Sequence, residues 1–201
     1  SGFSVSSAGD VNGDSIDDLV IGAHGHDGDT GESYVIFGKN VSEDGDFSAS
    51  FELSSLASGD GSTGFVMKGI DAGDFSGYSV ASAGDINNDG YDDVLISGYV
   101  ARGRAGETYV LFGKQGVYNA SLELSSLSTE NGSDGFAING IDGYDYSGQQ
   151  LSSAGDINGD GFDDILIGAS GGDPDGRTDA GESYLLFGKA DGYAPVFELS
   201  S

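Results

Sequence analysis

One nine-residue pattern occurs three times in this chain, as Asp10-Val11-Asn12-Gly13-Asp14-Ser15-Ile16-Asp17-Asp18, as Asp85-Ile86-Asn87-Asn88-Asp89-Gly90-Tyr91-Asp92-Asp93, and as Asp156-Ile157-Asn158-Gly159-Asp160-Gly161-Phe162-Asp163-Asp164. Oxygen-bearing side chains stand at positions 1, 3, 5, 8 and 9 of every copy. A tight turn can aim alternate side chains at one point, and a hard cation such as Ca2+ takes about six to eight oxygens. Positions 1, 3 and 5 would then supply side chains, position 7 its carbonyl, and position 9 would close the shell. The candidate ligands are Asp10, Asn12, Asp14, the Ile16 carbonyl and Asp18 in the first copy. They are Asp85, Asn87, Asp89, the Tyr91 carbonyl and Asp93 in the second. In the third they are Asp156, Asn158, Asp160, the Phe162 carbonyl and Asp164. About three Ca2+ ions are expected, one per loop.

The pattern opens like an EF-hand loop but does not close like one. Position 12, where an EF-hand carries a bidentate Glu, is Ile21, Ile96 or Ile167 within an apolar run. A strand therefore follows each loop, not a helix. Runs of Asp, Asn and Gly also make ordinary polar turns. Five matched oxygen positions in three copies favour the cation over the plain turn.

Charge bears on the same point. The chain holds 34 acidic and 7 basic residues for a net charge of −27, and 12 of those acids lie at loop positions 1, 5, 8 and 9. Such an excess repels itself in a compact state unless cations offset it. It also excludes nucleic-acid binding, which needs basic patches, and argues against an anionic membrane surface. There is no cysteine, hence no disulfide framework. No signal peptide and no apolar run long enough to span a bilayer is present. The chain reads as a soluble piece of a larger secreted protein.

The loops are landmarks of a longer repeat, spaced 75 and 71 residues apart. A short alternating run precedes each loop: Phe3 to Ala8, Tyr78 to Ala83, and a divergent Gln149-Gln150-Leu151 in the third copy. This predicts a first strand. The runs Leu19-Val20-Ile21, Val94-Leu95-Ile96 and Ile165-Leu166-Ile167 predict a second strand buried on both faces. Gly-Glu-Ser/Thr-Tyr leads into a third, Val35-Ile36-Phe37, Val110-Leu111-Phe112 and Leu185-Leu186-Phe187, each ending at Gly-Lys. A connection containing Phe51-Glu52-Leu53-Ser54-Ser55-Leu56 reappears as Leu122 to Leu127 and as Phe197 to Ser201. A fourth strand is expected at Gly64 to Ile70 and Gly135 to Ile141, with no third copy.

Four short strands per unit, with no helical periodicity, predict an all-β chain of β-propeller blades, each of four antiparallel strands. The units are 1–75 with loop 10–18, 76–146 with loop 85–93, and an incomplete 147–201 with loop 156–164. A linear β-solenoid is the alternative, though its repeats are usually shorter. Two blades and a third without its outer strand do not make a ring, since propellers use about 4–8 blades. The remaining blades are expected from the same parent chain or from copies of this one.

The unit resembles the FG-GAP repeat of the integrin alpha-chain N-terminal propeller and of large repetitive bacterial extracellular proteins. Ser1-Gly2-Phe3-Ser4-Val5, Ser76-Gly77-Tyr78-Ser79-Val80, the Ala-Gly-Asp before each loop, and Ile21-Gly22-Ala23 and Ile167-Gly168-Ala169 carry the resemblance. It implies Ca2+ held in the hairpin between the first two strands by the fifteen residues named above. Asp17, Asp92 and Asp163 are then left to support the loop or the strand start. Two departures stand out. Ser15 replaces the Gly of position 6, and the family's final Pro is His24, Tyr99 or Ser170. The resemblance further implies a non-catalytic extracellular module in cell-surface adhesion or structural assembly, with a surface protein or glycan as ligand.

Other functions have thinner support. The carboxylates sit in matched loops, whereas an active site is usually unique in a repeat array. His24 and His26 share a variable loop, spaced to lie on one face of an extended segment, and Arg102 and Arg104 occupy the equivalent loop of the second unit. All four read by default as solvated loop residues. A lectin-like propeller would need clustered exposed aromatics, for which Tyr99, Tyr118 and Tyr144 are candidates. A propeller attached to an extracellular hydrolase would show its catalytic domain elsewhere in a parent chain.

Overall fold

The computed structural model describes residues 1–129, 132–190 and 192–199, so Ser200 and Ser201 of the third Glu-Leu-Ser-Ser segment lie outside the described residues. The first sheet is β1 (Ser4–Gly9), β2 (Asp18–Ala23), β3 (Glu32–Ile36) and β4 (Gly64–Lys68), each antiparallel to the one before. The second repeats this with β5 (Val80–Gly84), β6 (Asp93–Gly98), β7 (Glu107–Leu111) and β9 (Gly135–Asn139). The third has β10 (Ser147–Gly155), β11 (Asp164–Ala169) and β12 (Glu182–Leu186). These are propeller blades in a partial array, and the three sheets do not close into a ring.

Each complete blade also has a strand that the sequence reading took for connection. β8 (Ser121–Glu123) leaves the second blade and runs parallel to β4 of the first, Ser121 opposite Val66. β13 (Val196–Glu198) lies on β9 in the same way, Val196 opposite Ala137. Successive blades are thus stitched together at their outer edge. The first copy, Phe51-Glu52-Leu53, forms no strand and runs into a 3-10 turn over Leu53–Ser58. Among the described residues no earlier blade offers it an edge.

The blades stack through apolar faces. Val20, Val35, Phe65 and Met67 of the first meet Val80, Val94, Ile96, Tyr109 and Leu111 of the second. Leu95, Val110, Phe136 and Ile138 on the other side of the second meet Leu151, Ile165 and Ile167 of the third. Alternate residues of a strand face opposite sides, so a strand between two neighbours must be apolar throughout. This explains Val94-Leu95-Ile96, all fully buried. The expectation of two-sided burial fails at the ends of the array, where Leu19 is 52% and Leu166 is 42% exposed. Each has a neighbouring blade on one side only.

Repeated motifs have local reasons. In Gly-Glu-Ser/Thr-Tyr the Tyr hydroxyl donates to the Glu carboxylate two residues earlier, Tyr34 to Glu32 at 2.6 Å and Tyr109 to Glu107 at 2.7 Å, with Tyr184 and Glu182 alike. Strand β10, divergent in sequence, still forms, with a register shift between Ser147 and Gln150 where Gln replaces the usual aromatic-Ser pair.

Candidate metal centre

All three acidic loops adopt one conformation, closed by their own side chains. Asp10 accepts from the amides of Gly13 (2.8 Å), Asp14 (3.0 Å) and Ser15 (2.8 Å). Asp85 accepts from Asp89 (3.0 Å) and Gly90 (2.8 Å), and Asp156 from Gly159 (2.6 Å), Asp160 (3.0 Å) and Gly161 (2.9 Å). The position-3 Asn bridges to the position-5 Asp, whose other oxygen takes the amide of position 7. These amide bonds hold the Asp156 carboxyl below its usual pKa.

The position-9 carboxylate ties the loop to the blade. Asp18 accepts from Val11 N–H (2.9 Å) and Gly38 N–H (2.8 Å). Asp93 accepts from Ile86 (3.0 Å) and Gly113 (2.9 Å), and Asp164 from Ile157 (3.0 Å) and Gly188 (2.9 Å). All three are fully buried. Burial pushes Asp18 up to about 6 and Asp93 up to about 8 against the pull of those amides. The Gly of each Phe-Gly-Lys is required here. A Cβ on Gly38, Gly113 or Gly188 would lie within 2.5 Å of the backbone oxygen of Asp17, Asp92 or Asp163.

Positions 4 and 6 take left-handed backbone in every copy. Position 6 is Gly90 (φ +93°) and Gly161 (φ +92°), but Ser15 (φ +67°) in the first loop. That conformation costs a non-glycine residue roughly 1–2 kcal/mol. Ser15→Gly is therefore expected to raise stability by about 0.5–1 kcal/mol in urea unfolding, after the greater freedom of Gly in the unfolded chain is set against it. A loss of stability would contradict this reading of the turn.

The donor set fits a hard cation, being oxygen throughout. No ion pair among the described residues involves a loop carboxylate. The motif lysines sit instead over aromatic rings, Lys39 on Phe47, Lys114 on Tyr118 and Lys189 on Tyr193. Buried carboxylates without a cationic partner are costly, and each oxygen bonded to an amide keeps a further lone pair. Among the described residues no three acidic or His side chains already converge as a cage. A cation could take the free lone pairs of Asp10 and Asp14, and of their counterparts, alongside these amide bonds.

Two groups of side chains join one blade to the next. The Asp92 carboxylate reaches back to the amide of Asp10 (2.7 Å), and Asp163 to that of Asp85 (3.0 Å). For Asp92 and Asp163 the resemblance implies support of the loop or the strand start, and the structure adds a bond to the loop of the preceding blade. Their counterpart Asp17, which has no earlier blade beside it among the described residues, is exposed. Tyr118 is buried, stacked on Phe65 with centroids 4.5 Å apart, and donates to the Val11 carbonyl at 3.0 Å. Tyr193 repeats this on Phe136 and the Ile86 carbonyl. Tyr118 is thus an internal strut, not a surface binding residue. The available signal was a Tyr four residues after Gly-Lys in two units.

The remaining candidates scatter. The His24 ring lies among Phe3, Phe75 and Tyr78, and that burial lowers its pKa. His26 turns instead to Glu32 at 3.5 Å, so the two histidines have separate surroundings. Arg104 sits over the Tyr144 ring. Tyr99 and Tyr144 belong to an aromatic row, Phe3, Tyr78, Tyr99, Tyr146 and Tyr144, on the side of the blades away from the acidic loops.

Comparison with known proteins agrees with this architecture. The FG-GAP repeat model matches residues 1–36, 76–111 and 147–186. The chain is 31% identical over 176 residues, 85% of its length, to Integrin alpha-PS5 of Drosophila melanogaster. It is 30% identical over 162 residues, 81% of its length, to Integrin alpha-4 of Xenopus laevis. It is 28% identical over 194 residues, 92% of its length, to Integrin alpha pat-2 of Caenorhabditis briggsae. It spans only 15%, 14% and 14% of these relatives in turn. The sheet order and the three matched segments together place the chain in the FG-GAP repeat family.

Proposed function

We propose that this chain is a non-catalytic, calcium-binding propeller segment of an extracellular protein, serving cell-surface adhesion or structural assembly. One observation carries the calcium reading: three loops of one conformation whose buried Asp18, Asp93 and Asp164 have amide partners but, among the described residues, no cationic side chain. The similarity to integrin alpha chains supports the adhesive and extracellular setting. Among the described residues no helix is long and apolar enough to cross a membrane.

Leu19 and Leu166 indicate the partner. Their counterparts in the middle blade are buried against a neighbour, so these end faces suit further blades, from a longer parent chain or from copies of this one. A second reading is glycan binding on the aromatic row, where Phe3 and Tyr144 are about 60% exposed. Glycan screening separates the two: binding that is lost in Tyr144→Ala favours the lectin-like reading.

Calcium that binds only the folded chain adds stability by mass action, roughly 2.7 kcal/mol per site at a hundredfold excess over Kd. With about three sites, millimolar calcium should raise the melting temperature by on the order of 10 °C or more over chelator. Identical melting curves in calcium and EDTA would overturn the proposal.

A further inference from the structure

Residues 1 and 2 of the first two loops are gripped by the blade that follows. Asp92 takes the Asp10 amide on its carboxylate at 2.7 Å, and its own amide donates to the Asp10 carbonyl at 3.1 Å. Asp163 does the same to Asp85, at 3.0 and 3.2 Å. The next carbonyl receives two donors, Lys114 N–H and the Tyr118 hydroxyl on Val11, and Lys189 N–H and the Tyr193 hydroxyl on Ile86. The glycine ahead of each loop makes room. A Cβ on Gly9 would lie 2.1 Å from Asp92 Oδ2, and one on Gly84 2.0 Å from Asp163 Oδ2.

The third loop is a control within the same molecule. Gly155 has the same left-handed backbone, φ +64°, yet nothing lies within 4 Å of its would-be Cβ. Ile157 is 62% exposed, where Val11 and Ile86 are buried. The first candidate ligand is therefore held by a neighbouring blade in loops one and two and not in loop three.

We propose that Asp92 and Asp163 are positioning residues that fix the first ligand of the loop behind them. Cation binding and blade-to-blade docking are thereby one coupled event. This rests on the calcium reading above. A ligand whose backbone is fixed beforehand loses less freedom on binding. The coupling is reciprocal, so an ion in loop one tightens the joint between the first two blades. In a monomer of these 201 residues, loops one and two should bind calcium more tightly than loop three, whose ligand residues are of the same types.

Calorimetric titration of the 201-residue chain, at a concentration where it is monomeric, should resolve two tighter sites and one about tenfold weaker, the weaker being the one lost in Asp160→Ala. Three equal sites, or loss of a tighter site in that variant, would overturn the proposal without any change at the joint. The direct test uses the chain with Asp89→Ala and Asp160→Ala, which keeps loop one alone. Adding Asp92→Ala should weaken that site about tenfold, although residue 92 lies in another loop. Asp92→Asn should restore most of the affinity, because its carbonyl oxygen still accepts the Asp10 amide, and Asp163→Ala should leave loop one unchanged. Equal weakening by Ala and Asn would assign the effect to charge rather than the bond, and no weakening would remove it altogether. A native chain that binds no calcium overturns both readings, an outcome distinct from failure of the staple alone.

Discussion

Asp93→Ala is expected to destabilise the chain by about 2–4 kcal/mol, measured by urea unfolding in chelator so that metal loss plays no part. Asp93 is fully buried and serves Ile86 N–H and Gly113 N–H at once. Truncation strands both amides in a dry site, at roughly 1–3 kcal/mol each. Against this stands the cost of burying a carboxylate, visible in a pKa pushed up to about 8. Above about pH 8, where the carboxyl is ionised, removing the charge returns that cost. The amides should still win, because two buried donors lose their only acceptor. Asp93→Asn should fall between, since its amide group accepts at one end and meets an N–H with another N–H at the other. An alanine variant within about 0.5 kcal/mol of the native chain would show that the carboxylate is not what fastens the loop to the third strand.

Tyr118→Ala is expected to cost about 3–5 kcal/mol. The ring stacks on Phe65, lies 5.7 Å from Phe37, and is covered by Lys114. Tyr118→Phe keeps the ring and loses only the bond to the Val11 carbonyl, worth about 0.5–1.5 kcal/mol. The first unit carries its own comparison. Phe47 stands four residues before Phe51, as Tyr118 does before Leu122, yet is 56% exposed. Phe47→Ala should therefore cost less than about 1 kcal/mol. Similar losses from both substitutions would contradict a strut that works only where a preceding blade is present.

Much of the fold was legible because its signals are local. The acidic loops and the apolar second strand each occupy fewer than ten consecutive residues three times over, and the alternating first strand does so twice. What escaped depends on neighbours distant in sequence. Nothing near Leu122-Glu123-Leu124 states that Ser121 pairs with Val66 of another blade. Asp17, Asp92 and Asp163 are the same residue at the same position, yet only the latter two have a preceding loop to grip. The sequence offers Tyr118 beside Tyr99 and Tyr144 as a candidate exposed aromatic, whereas the structure buries it. Its burial is set by Phe65 on the facing blade. Leu19 and Leu166 show the reverse, apolar positions left exposed because the array offers them one neighbour instead of two.

One calcium ion in each acidic loop gives a stoichiometry that can be counted. Native mass spectrometry of the intact chain, compared with Asp14→Ala and Asp89→Ala, counts the ions directly. About three ions are expected in the native chain and one fewer in each variant, as one hard-cation site per loop requires. An ion count that does not fall in either variant, or a native chain with no bound calcium at millimolar concentration, would contradict it.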